Sequence, residues 1–215
     1  LKTEITEIDN TTIESMRKCC ATVQRLLTLA HMMTKHVYIV TNSDIGWVEA
    51  STNKFYPELV THEYFLKTKI LSTKSFYESV YPGLPMRWKL STMTDILLEV
   101  VIDDSSRENK RNNRLMRRVS WSKVKPHDAT SDIAVKNKLT TDPIHLVGVG
   151  DTLTDRDALF LSGRDFKCCT KSIKTVDRPT IETLTSQIDL IANMFPYIVS
   201  YEGVLDMQTT ITQTN

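Results

Sequence analysis

The chain has 215 residues, 40% hydrophobic and 25% charged, enough for one ordinary domain with a substantial core. Its 27 basic and 26 acidic residues leave a formal charge of +1, which excludes a whole-protein attraction to nucleic acid or anionic membrane. It contains no apolar run of about 18 residues and no signal-peptide pattern, which argues against an embedded protein.

Residues 1–8 carry too many charged side chains for a central strand, and Asp9 or Asn10 reads as the cap of a helix over about residues 11–33. Residues 36–43 form a β-rich run that ends in Thr41, Asn42 and Ser43, and Asp44-Ile45-Gly46-Trp47 opens a second helix over about 45–56. A hydroxyl and free backbone N–H groups at such a strand-to-helix junction suit a phosphate oxygen. Taken alone, Thr-Asn-Ser is only a turn and a cap. Residues 68–72 read as a short strand. Pro85-Met86-Arg87-Trp88-Lys89 then leads into a helical apolar pattern over 90–98, which puts Lys89 at a helix entry. A cation is electrostatically out of place there unless an anion is near; the plain alternative is a snorkelling surface lysine.

Residues 144–150 are a short apolar run that stops at a glycine and delivers Asp151 and, four residues on, Asp155. Such a run reads as a buried parallel strand, and ligands of open α/β sheets gather outside the carboxyl ends of such strands. Two carboxylates at that spacing suit a hard divalent cation such as Mg²⁺; the plain alternative is an acidic turn capping the next helix. A helix through Leu159, a strand over 166–170, and a closing helix started by Pro179 follow, with Ile181, Leu184, Ile188, Ile191 and Phe195 at near-helical intervals. Alternating strands and helices predict an α/β fold, a parallel sheet in three layers, over residues 1–215 as a single domain.

Residues 105–142 form a polar insertion. From Arg107 to Lys125 within it, Arg107, Lys110, Arg111, Arg114, Arg117, Arg118, Lys123 and Lys125 face the single acid Glu108. Arg117-Arg118-Val119-Ser120 fits a basophilic kinase pattern, so Ser120 is a candidate phosphosite, and Trp121 could stack on a base. A solvated loop is the plainer reading, with an RNA or acidic-protein contact as the alternative. Cys19-Cys20 and Cys168-Cys169 match no zinc or redox spacing and read as buried free thiols in a reducing, intracellular compartment, cytoplasm or organelle matrix. The five histidines have no metal-ligand spacing, and His145, within a strand, reads as a core residue.

The ordered set Thr41, Lys89, Asp151 and Asp155, each at an element boundary, resembles the haloacid dehalogenase-like (HAD) superfamily of phosphohydrolases over almost the whole chain. The runs Val-Thr-Asn-x-x-x-Gly-Trp-Val-Glu, Tyr81-Pro82-Gly83 with Trp88-Lys89, Gly-Asp-x-x-x-Asp-Arg-Asp-Ala-Leu, Ser172-Ile173-Lys174 and Arg178-Pro179-Thr180 look like a eukaryotic and protist branch of it. The resemblance implies a three-layer Rossmann-like core in which Thr41, with Asn42, binds the transferring phosphoryl group, Lys89 neutralises its charge, and Asp151 and Asp155 hold magnesium.

The family's first motif, a buried strand ending in Asp-x-Asp-x-Thr whose leading aspartate attacks phosphorus, is not present in these residues. In the family that strand lies between the strands ending at Thr41 and Asp151, so a gap across the middle of the sheet is expected, costly in unpaired backbone groups. Opening at Leu1 rather than Met is compatible with a fragment, a processed product, or a start after the first strand. Three readings follow: a magnesium-dependent phosphomonoesterase whose nucleophile lies upstream of Leu1, inactive as residues 1–215 alone; a non-catalytic scaffold subunit whose sheet a partner chain completes; and an RNA or acidic-partner adaptor that uses residues 107–125.

Overall fold

A computed structural model describes residues 9–109 and 143–210, with the side chains of 104–109 left aside; the basic segment beyond Asn109 and Ser120 lie outside the described residues. The order of elements is α1 (Asn10–Met33), β1 (Tyr38–Thr41), α2 (Trp47–Phe55), α3 (Pro57–Val60), α4 (Glu63–Lys67), β2 (Lys69–Ser72), α5 (Thr73–Tyr77) and α6 (Pro85–Asn109). After the undescribed segment come β3 (His145–Gly150), α7 (Leu153–Asp165), β4 (Cys169–Lys174), α8 (Ile181–Ser200) and β5 (Leu205–Gln208). The architecture is mixed α/β with short parallel sheets.

The strands form two sheets. In one, β1 pairs with β2 in parallel, Thr41 opposite Ser72; in the other, β3, β4 and β5 run parallel, Gly150 opposite Lys174 and Lys174 opposite Gln208. No ladder joins β1 to β3 among the described residues. Among the described residues each is paired with a neighbouring strand on one side only. Their burial follows from this: β1 is half-buried throughout and Val149 of β3 is 44% exposed, whereas Thr170 to Ile173 of the flanked strand β4 are buried.

Helices on both faces hold the two sheets in one molecule. Alternation along a strand sends successive side chains to opposite faces, and the packing obeys it: Ile39 joins the cluster of Cys20, Val23 and Leu27 from α1, while the hydroxyl of Tyr38 reaches Glu99 of α6. In β3, Val147 packs with Leu26, Leu29 and Ala30 of α1 and with Ile191, Phe195 and Ile198 of α8; its neighbour Leu146 packs with Leu97, Leu98 and Val101 of α6 and with Phe166. One stripe of α1 thus covers the first sheet and the adjacent stripe covers the second. Arg25 fixes its pairing with α8, donating to Asp189 at 2.8 Å and Asn193 at 2.6 Å.

The helix starts follow local chemistry. Asp9 caps α1, its carboxylate accepting from the Thr12 amide at 2.6 Å, and Thr180 caps α8, accepting from the Thr183 amide at 3.2 Å. The last helix therefore begins at Ile181, not at Pro179, which sits just ahead of the cap. Lys89 lies in the second turn of α6, whose first residue is Pro85, and α6 runs on to Asn109, into the first residues of the expected insertion. The strand expected at 166–170 is displaced to Cys169–Lys174, and Phe166, 0% exposed, closes the end of α7. His145 is exposed at the start of β3 and not a core residue; its Nδ1 lies 2.9 Å from the Val199 carbonyl and 2.8 Å from the Lys171 ammonium. The cysteines are free, with Cys19 and Cys20 buried, and burial first, then Cys169, pushes the Cys168 thiol up to about 12. No described helix is long and apolar enough to cross a membrane.

Candidate functional site

The carboxyl end of β3 turns directly into α7 through Thr152. Its hydroxyl accepts from the Asp155 amide at 3.2 Å, while Asp155 Oδ2 accepts from the Thr152 amide at 3.3 Å and from the Thr152 hydroxyl at 2.6 Å, a reciprocal capping box. This folds the Asp155 carboxylate back over the strand end. A side chain on Gly150 would put its Cβ 2.7 to 2.9 Å from Asp155 Cβ, Cγ and Oδ2, so the glycine is what admits that carboxylate. A Cβ on Gly148 would likewise meet Leu159 at 2.7 Å, which lets α7 lie close against β3.

Lys89 enters from the other side. Its ammonium forms an ion pair with Asp155 Oδ1, and its residue is 8% exposed. Burial pushes Lys89 below the usual lysine range, and the negative charge of Asp151 partly restores it. Lys89, Asp151 and Asp155 therefore act on one another at one place, with Asp151 the solvent-exposed member.

Thr41 and Asn42 close β1. The Thr41 hydroxyl accepts from the Ser43 amide at 3.1 Å, and Asn42 Oδ1 accepts from the hydroxyl of the fully buried Thr73. Ser72, opposite Thr41, donates to the Ser43 carbonyl at 2.6 Å and caps α5 by accepting from the Ser75 amide at 3.1 Å. These hydroxyls hold the turn in shape. The bonds of Thr41 and Asn42 run within this turn and to α5.

Helix α6 relates the two strand ends. Near its start Lys89 meets Asp155 at the carboxyl end of β3, and further on Leu97 and Val101 pack with Leu146 near the amino end of that strand. Against β1 the sense is the same: Glu99 accepts from Tyr38, and Asp103 meets Lys35 and His36 just ahead of the strand. Both β1 and β3 therefore run antiparallel to α6, and Thr41 and Asp151 leave their strands at the same end of the molecule. The rise of α6 from Lys89 to Glu99 is about 15 Å and that of β1 from Tyr38 to Thr41 about 10 Å. From Tyr38 to Thr41, β1 therefore runs back toward the stretch of α6 between Glu99 and Lys89, which carries Thr92. Thr92 is 1% exposed, and its hydroxyl makes no hydrogen bond among the described residues.

The capping role of Thr152 has a local sequence signal, Thr-x-x-Asp, whereas the burial of Thr92 has none. Among the described residues no three His, Cys, Asp or Glu side chains form a metal cluster. Asp151 and Asp155 are two oxygen donors that fit part of a magnesium shell, which takes one or two carboxylates with water and phosphate oxygens. A groove of about 630 Å³ lies elsewhere, between α8 and β5, lined by Leu190, Met194 and Met207 among others. It contains none of the residues around Lys89 and has an apolar wall. Comparison with protein-family models, curated proteins and solved structures finds no match to the chain.

Proposed function

We propose that this chain is the larger part of a magnesium-dependent phosphohydrolase of the haloacid dehalogenase-like type, with its nucleophilic aspartate on a strand outside residues 1–215 that inserts between β1 and β3. The observation that carries the reading is the joining of Lys89 to Asp155, beside Asp151, at the end of the molecule where Thr41 also emerges. Two further facts support it: among the described residues β1 and β3 are each paired along one edge only, and the buried Thr92 hydroxyl of α6 has no partner. A strand between the two edges supplies the missing backbone partners, and its last residue emerges between Thr41 and Asp151.

In this reading Thr41 and the amides of its turn hold a phosphoryl oxygen, the Asn42 side chain is set by Thr73, and Lys89 balances charge on the transferring group. Asp151 and Asp155 hold Mg²⁺, which supplies further electrostatic stabilisation of a phosphomonoester dianion. The inserted aspartate attacks phosphorus and breaks the ester P–O bond, the departing oxygen taking a proton from solvent to leave as the alcohol; water then attacks the acyl phosphate, releasing phosphate and restoring the carboxylate. Residues 1–215 alone are inactive on this account.

A second reading draws on the same open edges: a strand from a partner chain fills the gap, and the protein serves as a scaffold. Hydrolysis of p-nitrophenyl phosphate by the longest natural form of the chain separates the two. Magnesium-dependent turnover that Asp151→Asn and Thr41→Val each reduce by at least about a hundredfold supports the enzyme. No turnover, together with copurification of a strand-donating partner, supports the scaffold.

A further inference from the structure

We propose that Lys89 is the resident counter-cation of Asp155 in the metal-free protein, and that a divalent cation arriving at Asp151 and Asp155 displaces it, so that filling the cation site and presenting Lys89 to a phosphoryl oxygen are one coupled event. This rests on the phosphohydrolase reading and adds an order of assembly to it.

Both oxygens of Asp155 are engaged. Oδ2 is held by the hydroxyl and amide of Thr152, and that arrangement is part of the start of α7, fixed by helix geometry. Oδ1 is held by the Lys89 ammonium, at the end of a flexible four-carbon stem on a different helix. Of the two, only the lysine can leave without unmaking a cap. A cation that recruits Asp155 therefore competes with Lys89.

Charge gives the coupling its purpose. With Asp151 and Asp155 ionised and Lys89 their sole neutraliser in this group, the metal-free site carries a net negative charge and repels a phosphate dianion. A divalent cation reverses that sign, and the displaced ammonium, still largely excluded from water, needs a new anion. A phosphoryl group at Thr41 is such an anion. Anion binding should consequently follow cation binding.

Two measurements on the full chain test this, with Mn²⁺ and Mg²⁺ as probes. In calorimetric titration, Lys89→Met is expected to bind Mn²⁺ about tenfold more tightly than wild type. Lys174→Met, which removes a cation from the end of the neighbouring strand β4, should change affinity less than about twofold. Equal affinity of wild type and Lys89→Met, or an equal gain from Lys174→Met, overturns the displacement while leaving the phosphohydrolase reading intact. Absence of Mn²⁺ binding in both wild type and Lys89→Met overturns the metal site itself. The second measurement needs no variant at Lys89: acylation of Lys89 in wild type by acetic anhydride, read by mass spectrometry, should rise severalfold on adding Mg²⁺ and fall again when inorganic phosphate is added with it. Labelling that Mg²⁺ leaves unchanged overturns the proposal.

Discussion

The Tyr38 hydroxyl donates to Glu99 Oε2 at 3.2 Å across 61 residues of sequence, tying the first residue of β1 to the middle of α6. The same carboxylate pairs with Lys69, the partner of Tyr38 in the β1–β2 ladder. Burial first, and then the charge of Glu99, push the Tyr38 phenol well above its usual range, so it remains a donor at any working pH. Tyr38→Phe keeps the ring and loses the bond, and since Glu99 retains Lys69 the cost should be about 1 kcal/mol in urea unfolding. A change beyond about 3 kcal/mol would show that α6 depends on this bond for its placement.

Gly150→Ala should damage the site more than the fold. The added Cβ meets the Asp155 side chain at 2.7 to 2.9 Å, so Asp155 must swing away, giving up its bonds to Thr152 and its pairing with Lys89. A stability loss of about 1 to 3 kcal/mol is expected from the overpacking, together with loss of divalent-cation binding. An alanine variant that binds Mn²⁺ like wild type would place the metal away from Asp155.

Removing the hydroxyl that holds Asp155 is a gentler probe. Thr152→Ala takes away the cap of α7 and should cost about 1 kcal/mol, whereas Thr152→Ser should restore most of it. Thermal unfolding of the two variants side by side checks this; equal stability of alanine and serine would mean the capping box contributes nothing.

Lys171 of β4 is fully buried, donating to the Val199 carbonyl at 2.6 Å and to His145 Nδ1 at 2.8 Å. Burial pushes it below the usual lysine range, against a smaller opposing effect of Cys169. A lysine whose folded value is depressed destabilises the native state wherever it must be charged. Between the folded value and the unfolded 10.5 the unfolded chain binds more protons, so stability rises with pH across that window. Lys171→Met should thus be neutral or stabilising at pH 7, with His145 turning its Nδ1–H to Val199, and the gain should shrink as pH approaches 10.5. A large loss at neutral pH would show that the ammonium is needed as a donor.

Asp206 on β5 is the acid-side counterpart. Arg156 of α7 grips it through Nε at 2.9 and 3.0 Å, which holds the Asp206 carboxyl below 3.8. A depressed carboxylate contributes stability above its unfolded value and loses it as pH falls through the folded one. Asp206→Asn should therefore be less stable than wild type at pH 6, and the difference should shrink as pH falls below 3.8. The pair is solvent-exposed, so the effect should also fade in 1 M salt. A difference that does not shrink on acidification would assign the effect to packing.

Much of the order of elements was legible because it rests on local signals. Asp9 caps α1 within one residue of the expected start, and the apolar runs at β1 and β3 carry strands where alternation and turn chemistry put them. What escaped depended on partners distant in sequence. Lys171 looks wrong for a buried strand until the Val199 carbonyl and His145 are seen to receive it, so β4 was expected to stop before it; Phe166 looks like a strand residue and instead seals α7 against α6. Strand β5 is four residues with Asp206 and Gln208 on one face, too short and polar to announce itself. In the site, the positions of Thr41, Asp151 and Asp155 at element ends were readable from the strands alone. The direct contact between Lys89 and Asp155 was not, because it depends on how α6 crosses the sheet.

That crossing also sets what kind of change the protein tolerates. Because one helix carries Glu99 to β1 and Lys89 to β3, the spacing between the two residues is a gauge length. Inserting or deleting a single residue between them rotates one relative to the other by about 100° and slides it about 1.5 Å. Side chains along this stretch can be exchanged with graded effects, but a change of one codon in length disconnects the lysine from its carboxylate at a stroke.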